Sequence, residues 1–210
     1  MNEHIELVCT RYPALVSVRD ELYRAFDLLC DCFDAGGKLL LCGNGGSAAD
    51  CAHIVGELMK GFLLPRSLTA DERALFAGMD EDTAAVADKL QNALPAVSLC
   101  EACALTTAFA NDVDAQYVYA QQVWVLARNS PDLLLALSTS GNSRNVLHAV
   151  RTARALGRDT VAITGQDGGM LRALCTVCIC LPERETYKAQ ELTLPVYHAL
   201  CAALEEHYFN

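Results

Sequence analysis

One unit that occurs twice constrains the fold of this chain more than any other feature: a short apolar run, a turn rich in glycine or serine, and a helical pattern. The first apolar run covers 38–42 and the helical pattern 48–62, with the turn GNGGS between them. The second covers 132–137 and 144–156, with STSGNS between them. Each unit is therefore predicted to be a strand, a turn and a helix.

Three further apolar runs are short enough to be strands and lie at 96–99, 160–164 and 175–181. Runs that are apolar at every position are typical of strands buried on both faces, and here they alternate with helical patterns. The predicted fold class is therefore α/β, a three-layer α/β/α sandwich with a parallel sheet in the middle. We expect residues 1–210 to form a single domain.

Helical periodicity also predicts a helix near each end of the chain. An amphipathic helix is expected over 18–35, within an N-terminal helical segment of about 1–36, with Ser17 as its N-cap and Gly36 supplying a left-handed end. A second helix is expected over 186–208. Pro195 is expected to interrupt this helix, because its ring removes one backbone hydrogen bond.

Residues from about 65 to 95 differ from the rest of the chain because they are polar and charged. Thr69 and Glu72 have the spacing of a capping box, and 82–90 has a short helical pattern. The segment is interpreted as a helical insertion. A solvated surface excursion and a flap that closes over a ligand both remain open.

Charge excludes several classes of partner. The chain has 16 Lys and Arg against 26 Asp and Glu, a formal net charge of −10, and no basic run. This excess of acid disfavours nucleic acid and anionic membranes as partners. The first residues resemble no signal peptide and no apolar run is long enough to span a bilayer, so we expect a cytoplasmic protein.

The eleven cysteines are odd in number and lie in apolar stretches, so they are interpreted as buried, reduced thiols. Two CxxC pairs, Cys100/Cys103 and Cys175/Cys178, have the spacing of zinc ligands. Structural zinc is nevertheless disfavoured, because positions three apart on the strand predicted at 175–181 point to opposite faces.

The two turns carry the residues that suit a ligand. Both follow strands and open helices, so both belong at the carboxyl edge of the sheet, where free N–H groups attract anions. Glycines allow close approach and the hydroxyls of 138–143 supply neutral donors, a combination that suits a phosphate. For one such loop alone, a cap and a turn would be the preferred explanation. The turns have no nucleotide-binding fingerprint, so no nucleotide cofactor is expected.

His53 and Glu57 lie four apart and share one face of the helix that follows the first turn. Such a pair suits metal ligation or proton transfer, although the spacing alone favours a solvated surface pair. The last helix offers Gln190 and His198. Eight residues correspond to about 12 Å of helix rise, which is too far for easy ligation of one ion.

The ordered motifs GNGGSAADCAH at 43–53, Glu57, FAND at 109–112, LSTSGNS at 137–143 and TGQDGG at 164–169 resemble the sugar isomerase (SIS) domain family, and within it the phosphoheptose isomerases. The resemblance implies a five-stranded parallel sheet and a homotetramer, or a dimer, with active sites between subunits. It also implies Zn²⁺ as a cofactor in several members, with ligands that correspond to His53, Glu57, Gln190 and His198.

The activity implied by this resemblance is aldose–ketose isomerisation of a sugar phosphate, from sedoheptulose 7-phosphate to D-glycero-D-manno-heptose 7-phosphate through an enediol. Glu57 corresponds to the base and His198 to the group that moves protons between oxygens. The implied substrate- and phosphate-binding residues are Asn44, Gly45, Gly46, Ser47, Asn111, Asp112, Ser138, Thr139, Ser140, Ser143 and Gln190.

Two positions depart from the family pattern: Thr193 stands where many members have a histidine, and Lys60-Gly61 where many have an arginine. These departures leave the substrate less certain than the reaction class. The alternative is a non-catalytic SIS protein that binds a phosphosugar or, as DiaA-like members do, the initiator DnaA. Glu57, Gln190 and His198 favour the enzyme, since a binding module needs no base and acid beside a phosphate.

Overall fold

A computed structural model describes residues 2–210 of the chain and contains a five-stranded sheet whose strands are all parallel. The strands are β1 Leu39–Cys42, β2 Ala96–Ser98, β3 Leu133–Leu137, β4 Thr160–Thr164 and β5 Val177–Cys180, in the spatial order β2-β1-β3-β4-β5. The predicted α/β class and parallel sheet are confirmed. All five runs predicted as strands contain a strand, each within one or two residues of the predicted bounds.

Ten α-helices connect or flank the strands in the described part of the chain: α1 Glu3–Arg11, α2 Arg19–Asp34, α3 Gly46–Leu58, α4 Ala70–Ala74, α5 Glu81–Ala87, α6 Cys103–Phe109, α7 Val118–Ala127, α8 Arg144–Ala155, α9 Leu171–Leu174 and α10 Thr186–Phe209. Short 3₁₀ turns cover Pro13–Val18 and Ala115–Tyr117, and a π-helical turn covers Ala110–Asp114. No helix within residues 2–210 is both long enough and apolar enough to cross a membrane.

The two faces of the sheet carry separate cores. Along β1, Leu39 and Leu41 point to one face and Leu40 and Cys42 to the other, as the period of two in a strand requires. Helices α1, α2, α3 and α10 cover the first face, and α7, α8 and α9 cover the second. This gives the predicted three layers. It also leaves the carboxyl edge of the strands open between helices of opposite layers.

Three local predictions are wrong. Ser17 does not cap α2: its hydroxyl donates to the Ala14 carbonyl inside the 3₁₀ turn, and Val18 occupies the N-cap position. The last helix runs without interruption from Thr186 to Phe209 with Pro195 inside it. Packing on two sides compensates for the single missing hydrogen bond.

The third error concerns the predicted run 175–181. Cys175 precedes the strand and ends α9, so the argument from opposite faces does not apply to it. Within β5, Cys178 and Cys180 share a face with their sulfurs 3.6 Å apart. All eleven cysteines are free thiols; five are buried, five are half-buried, and Cys103 is exposed.

The insertion joins the body of the protein through a narrow neck formed by residues 66, 67, 91 and 92. Ser67 and Gln91 form an antiparallel bridge, and the Asn92 amide donates to the Arg66 carbonyl at 2.6 Å. The capping box of Thr69 and Glu72 is confirmed at the start of α4. Beyond the neck the helices bury very little, since α4 has no buried residue and α5 has one.

A buried ion pair lies beside the neck. Arg66 and Glu205 are 0% and 1% exposed in their side chains, and the guanidinium Nε donates to the carboxylate at 2.7 Å. Arg66 also donates to the carbonyls of Leu58 and Glu57. The pair therefore ties the end of α3 to α10.

Candidate active site

A cleft of about 350 Å³ opens at the carboxyl edge of the sheet, where both predicted loops meet. It is lined by Asn44, Gly45, Gly46, Ser47, Leu137, Ser138, Thr139, Ser143, Thr186 and Gln190. Helices α3, α8 and α10 all begin at or beside this cleft. Three helix N-termini favour an anion there, and the lining side chains are neutral.

Glycine is required where the second loop meets the loop after β4. Gly141 has a φ of +63°, and a Cβ on it would lie 2.0 Å from the Gly168 carbonyl oxygen. Asn142 reinforces the junction, because its side chain donates to Ser140 O and accepts from Met170 N. The two loops are therefore packed backbone against backbone.

The hydroxyls of the second loop do not all face the cleft. Ser138 and Ser143 line it, with their oxygens 3.0 Å apart, so each can turn to donate to a bound oxyanion. Ser140 is exposed and lies outside the lining residues; its hydroxyl accepts from the Asn142 amide. This arrangement caps a turn. Capping of its own turn therefore explains the orientation of the Ser140 side chain.

Asn44 is held in place by a residue that sequence reasoning missed. Its side-chain amide exchanges two hydrogen bonds of 2.9 Å with the amide of Asn145 in α8. The Asn145 oxygen also accepts from the Val146 amide. The pair links the first loop to the first turn of α8, the helix that follows the second loop. Two residues that line the cleft were also missed: Leu137, the last residue of β3, and Thr186, the first residue of α10, whose position follows from the predicted start of that helix.

The second group of functional side chains lies where α3 and α10 face each other. Donor atoms of His53, Glu57 and His198 all lie within 4.8 Å of one another. His53 Nε2 is 3.0 Å from Glu57 Oε1 and 3.5 Å from His198 Nε2. Spacing alone favoured a solvated surface pair for His53 and Glu57. In the structure the two belong to a cluster that includes His198 of another helix.

Lys60 supplies the positive charge of this cluster. Its ammonium is 2.9 Å from Glu57 Oε2. Burial raises the pKa of the Glu57 carboxyl, but the hydrogen bond and charge of Lys60, together with those of His53, outweigh burial and hold the pKa below its usual value. Glu57 is therefore ionised at neutral pH and able to accept a proton.

The imidazole of His198 is neutral at neutral pH. Burial, reinforced by the neighbouring His53, lowers the pKa of its imidazole, while Glu57 opposes the shift. Its ring packs against Phe62 with centroids 5.4 Å apart. His198 also borders an apolar groove of about 500 Å³ between α1 and α10.

The donor set fits a zinc ion. Two imidazole nitrogens and one carboxylate oxygen form a His₂Glu set, which leaves a fourth position open, as catalytic zinc sites do. Ligand atoms about 2.0–2.1 Å from a tetrahedral ion lie about 3.4 Å from one another. The two separations that involve His53, 3.0 Å to Glu57 and 3.5 Å to His198, are close to this value, and the third, between Glu57 and His198, is within 4.8 Å.

Not all predicted residues come together. Gln190 lies in the cleft, about 12 Å along α10 from His198, with its amide against Gly46. Asn111 and Asp112 lie exposed in the π-helical turn, bonded to each other at 2.8 Å, and do not line the cleft. Thr193 is buried and donates to the Ala189 carbonyl of its own helix.

Known proteins resemble this chain in both sequence and structure. The SIS domain family matches residues 13–93 and 84–165. A phosphoheptose isomerase from Helicobacter pylori (strain P12) is 34% identical over 195 residues, 93% of this chain and 88% of the relative. One from Desulfovibrio desulfuricans is 37% identical over 179 residues, 85% and 73% of the two chains.

Among solved structures, the phosphoheptose isomerase GmhA from Neisseria gonorrhoeae superposes with a TM-score of 0.70 at 29% identity, covering 96% of this chain and 98% of that one. The similarity therefore extends over both strand-turn-helix units, the cleft and the α3–α10 cluster.

Proposed function

The chain belongs to the SIS domain family, and from this premise we propose that it is a phosphosugar aldose–ketose isomerase of the phosphoheptose isomerase type. The proposed reaction interconverts sedoheptulose 7-phosphate and D-glycero-D-manno-heptose 7-phosphate through an enediol. The observation that carries the proposal is that an ionised carboxylate and a neutral imidazole converge on helices that also border a cleft lined by hydroxyls and helix N-termini. Relatives with this activity in their names, 34% and 37% identical, support it.

The cleft would hold the phosphate. Hydroxyls of Ser47, Ser138, Thr139 and Ser143 and the free N–H groups of three helices supply donors there, and Asn44 is placed for a sugar hydroxyl. Binding energy from this end of the substrate is then used to orient the reacting carbons. Gln190 contributes its amide to the same cleft.

The cluster would carry out the proton transfers. Glu57 takes a proton from C1 of the ketose while His198 gives one to the C2 oxygen, which yields the enediol. Glu57 then returns its proton to C2 and His198 removes one from the C1 hydroxyl, which yields the aldehyde. The ionised Glu57 is in the state that can accept the first proton, and the neutral imidazole of His198 carries one N–H proton, which it gives to the C2 oxygen and regains from the C1 hydroxyl.

Zinc is part of the proposal. His53, Glu57 and His198 would hold the ion, whereas Gln190, the fourth ligand implied by the resemblance, lies in the cleft and not in this cluster. A bound Zn²⁺ would polarise the carbonyl oxygen as a Lewis acid. Direct binding of nucleic acid or of a nucleotide cofactor is not part of the proposed function, and the cytoplasm is the proposed location.

The oligomeric state is proposed to be a homotetramer, or a dimer, with sites completed between subunits. Two features support this. The apolar groove beside His198 would be covered by a second copy, and Asn111 and Asp112, which lie outside the cleft of their own chain, are exposed and free to reach a neighbouring cleft.

Glu57→Gln tests the function directly, because it removes the proton acceptor with little change in volume. We expect turnover of sedoheptulose 7-phosphate to fall about 10²–10⁴-fold and binding to change by no more than a few fold. NMR of the reaction in D₂O measures both turnover and deuterium uptake at C1 or C2. Glu206→Gln is the matched control, since this carboxylate pairs with His4 away from the cluster.

Unchanged turnover in Glu57→Gln would remove this residue from the role of base. Binding of the substrate by the wild-type protein without any deuterium uptake would instead identify a non-catalytic SIS protein.

A further inference from the structure

The cluster has a further buried partner outside the set of candidate ligands. The hydroxyl of Tyr197 lies 2.8 Å from His53 Nδ1 and 3.4 Å from an oxygen of Asp50. Tyr197 is 1% exposed, so water cannot replace this contact. Asp50 and His53 lie one turn apart on α3, and Tyr197 precedes His198 on α10.

The position of the proton on the His53 ring decides which of its nitrogens can bind a cation. A neutral imidazole carries one proton, and it can bind a cation through Nε2 only if that proton is on Nδ1. Nδ1–H then donates to the Tyr197 oxygen, and the Tyr197 hydroxyl donates to the Asp50 carboxylate. Every donor in this hydrogen-bond network then has an acceptor, and the Nε2 lone pair of His53 faces Glu57 Oε1 at 3.0 Å and His198 Nε2 at 3.5 Å, an arrangement that a bound cation would stabilise.

The tyrosine ring also limits how the imidazoles can turn. It meets the ring of His53 edge-on at a centroid distance of 5.4 Å, and that of His198 at 4.9 Å. One side chain therefore contacts two of the three candidate ligands, and its hydroxyl fixes the rotation of one of them.

We propose that Tyr197, oriented by Asp50, is a positioning residue that holds His53 with Nδ1 protonated and Nε2 aimed at a divalent cation. The inference rests on the cation site within the proposed function. The contact is made by Nδ1 of His53, the ring nitrogen that does not bind the cation. In other metal sites, removal of such a contact lowers metal affinity about 10–100-fold.

Tyr197→Phe removes only the hydroxyl. The matched control is Tyr208→Phe on the same helix, whose hydroxyl makes the same kind of bond, at 2.7 Å to Asp34 and 3.1 Å to Cys30 O, far from the cluster. Each metal-stripped protein is titrated with Zn²⁺ in competition with a chromophoric chelator, and its Tm is recorded. Zinc affinity should fall about 10–100-fold in Tyr197→Phe and less than about twofold in Tyr208→Phe.

Equal zinc affinity in Tyr197→Phe and wild type would overturn the inference, as would an equal loss in both variants, which would indicate a general effect of destabilising α10. Turnover of sedoheptulose 7-phosphate by the wild type is measured in parallel. A protein that turns over its substrate but takes up no Zn²⁺ refutes this inference and leaves the isomerase proposal intact. If the wild type binds Zn²⁺ and Tyr197→Phe loses affinity as expected, but the wild type does not turn over the substrate, the inference stands and the isomerase proposal is refuted.

Discussion

Glu205→Gln should be among the most damaging single changes outside the proposed active site, because it removes charge from a fully enclosed carboxylate while keeping its shape. The carboxylate oxygens accept four hydrogen bonds: Oε1 from Phe62 N and Arg66 Nε, and Oε2 from Leu63 N and Leu64 N. An amide has one oxygen and one NH₂ group. Whichever position the NH₂ group takes, it faces two donors, and the guanidinium of Arg66 loses its counter-charge.

The magnitude follows from these contacts. Hydrogen bonds to a charged group contribute about 1.5–3 kcal/mol each, so the loss of two amounts to about 3–6 kcal/mol. Removing one partner of a buried ion pair costs about 3–5 kcal/mol. We therefore expect Glu205→Gln to lower the free energy of unfolding by about 3–5 kcal/mol. For a chain of this length the Tm should fall by roughly 6–20 °C.

Urea unfolding followed by circular dichroism at pH 7 checks this value, with the protein concentration held constant because assembly contributes to stability. Glu206→Gln is the control: its carboxylate is half-exposed, lies 3.5 Å from His4, and should contribute less than about 1 kcal/mol. Similar unfolding midpoints for the two variants would refute the reasoning.

The difference in the free energy of unfolding between the wild type and Glu205→Gln should depend on pH. Burial raises the pKa of Glu205, but the amides of Phe62 and Leu63 and the charge of Arg66 outweigh burial, so the folded-state pKa lies below its usual value. The stabilisation is therefore fully present above the unfolded pKa of about 4.3, and is lost as the pH falls through the folded pKa. The gap between wild type and Glu205→Gln should narrow below about pH 4.

Two further predictions concern the cleft and the assembly. Gly141→Ala should lower the Tm and abolish binding of the sugar phosphate in calorimetry, because its Cβ would meet the Gly168 carbonyl. Gly45→Ala has open space around its Cβ and should cost only the backbone strain of φ +57° and ψ −122°, about 1–3 kcal/mol. Light scattering after gel filtration should give a mass of four chains, or two, and a monomer at micromolar concentration would contradict the proposed assembly.

The fold was predictable from sequence because the strands are buried on both faces. A run such as LLLAL at 133–137 is apolar at every position, and few other elements combine that pattern with so short a length. The ends of the helices were less predictable, since the residue types at a helix end do not decide alone where the helix begins. Ser17 has the chemistry of an N-cap, but the Pro13–Val18 turn uses its hydroxyl first.

The candidate site was only partly predictable. Spacing placed His53 beside Glu57, since a helix fixes the relation of residues four apart. No local pattern could bring His198 to them, because that contact depends on how α10 crosses α3. Tyr197 and Asn145 were missed for the same reason. Each acts through a hydrogen bond to a residue far away in the chain, and each is of a type that is common in ordinary helices.

The neck of the insertion makes that segment a replaceable module. The bridge between Ser67 and Gln91 already holds the two ends together, so the free energy of closing the loop depends only on the logarithm of its length. Shortening the loop from about two dozen residues to six would change this term by about 1.2 kcal/mol. Because α4 and α5 bury almost nothing, the segment between the ends can be shortened, extended or exchanged for another sequence while the sheet beneath it keeps its structure.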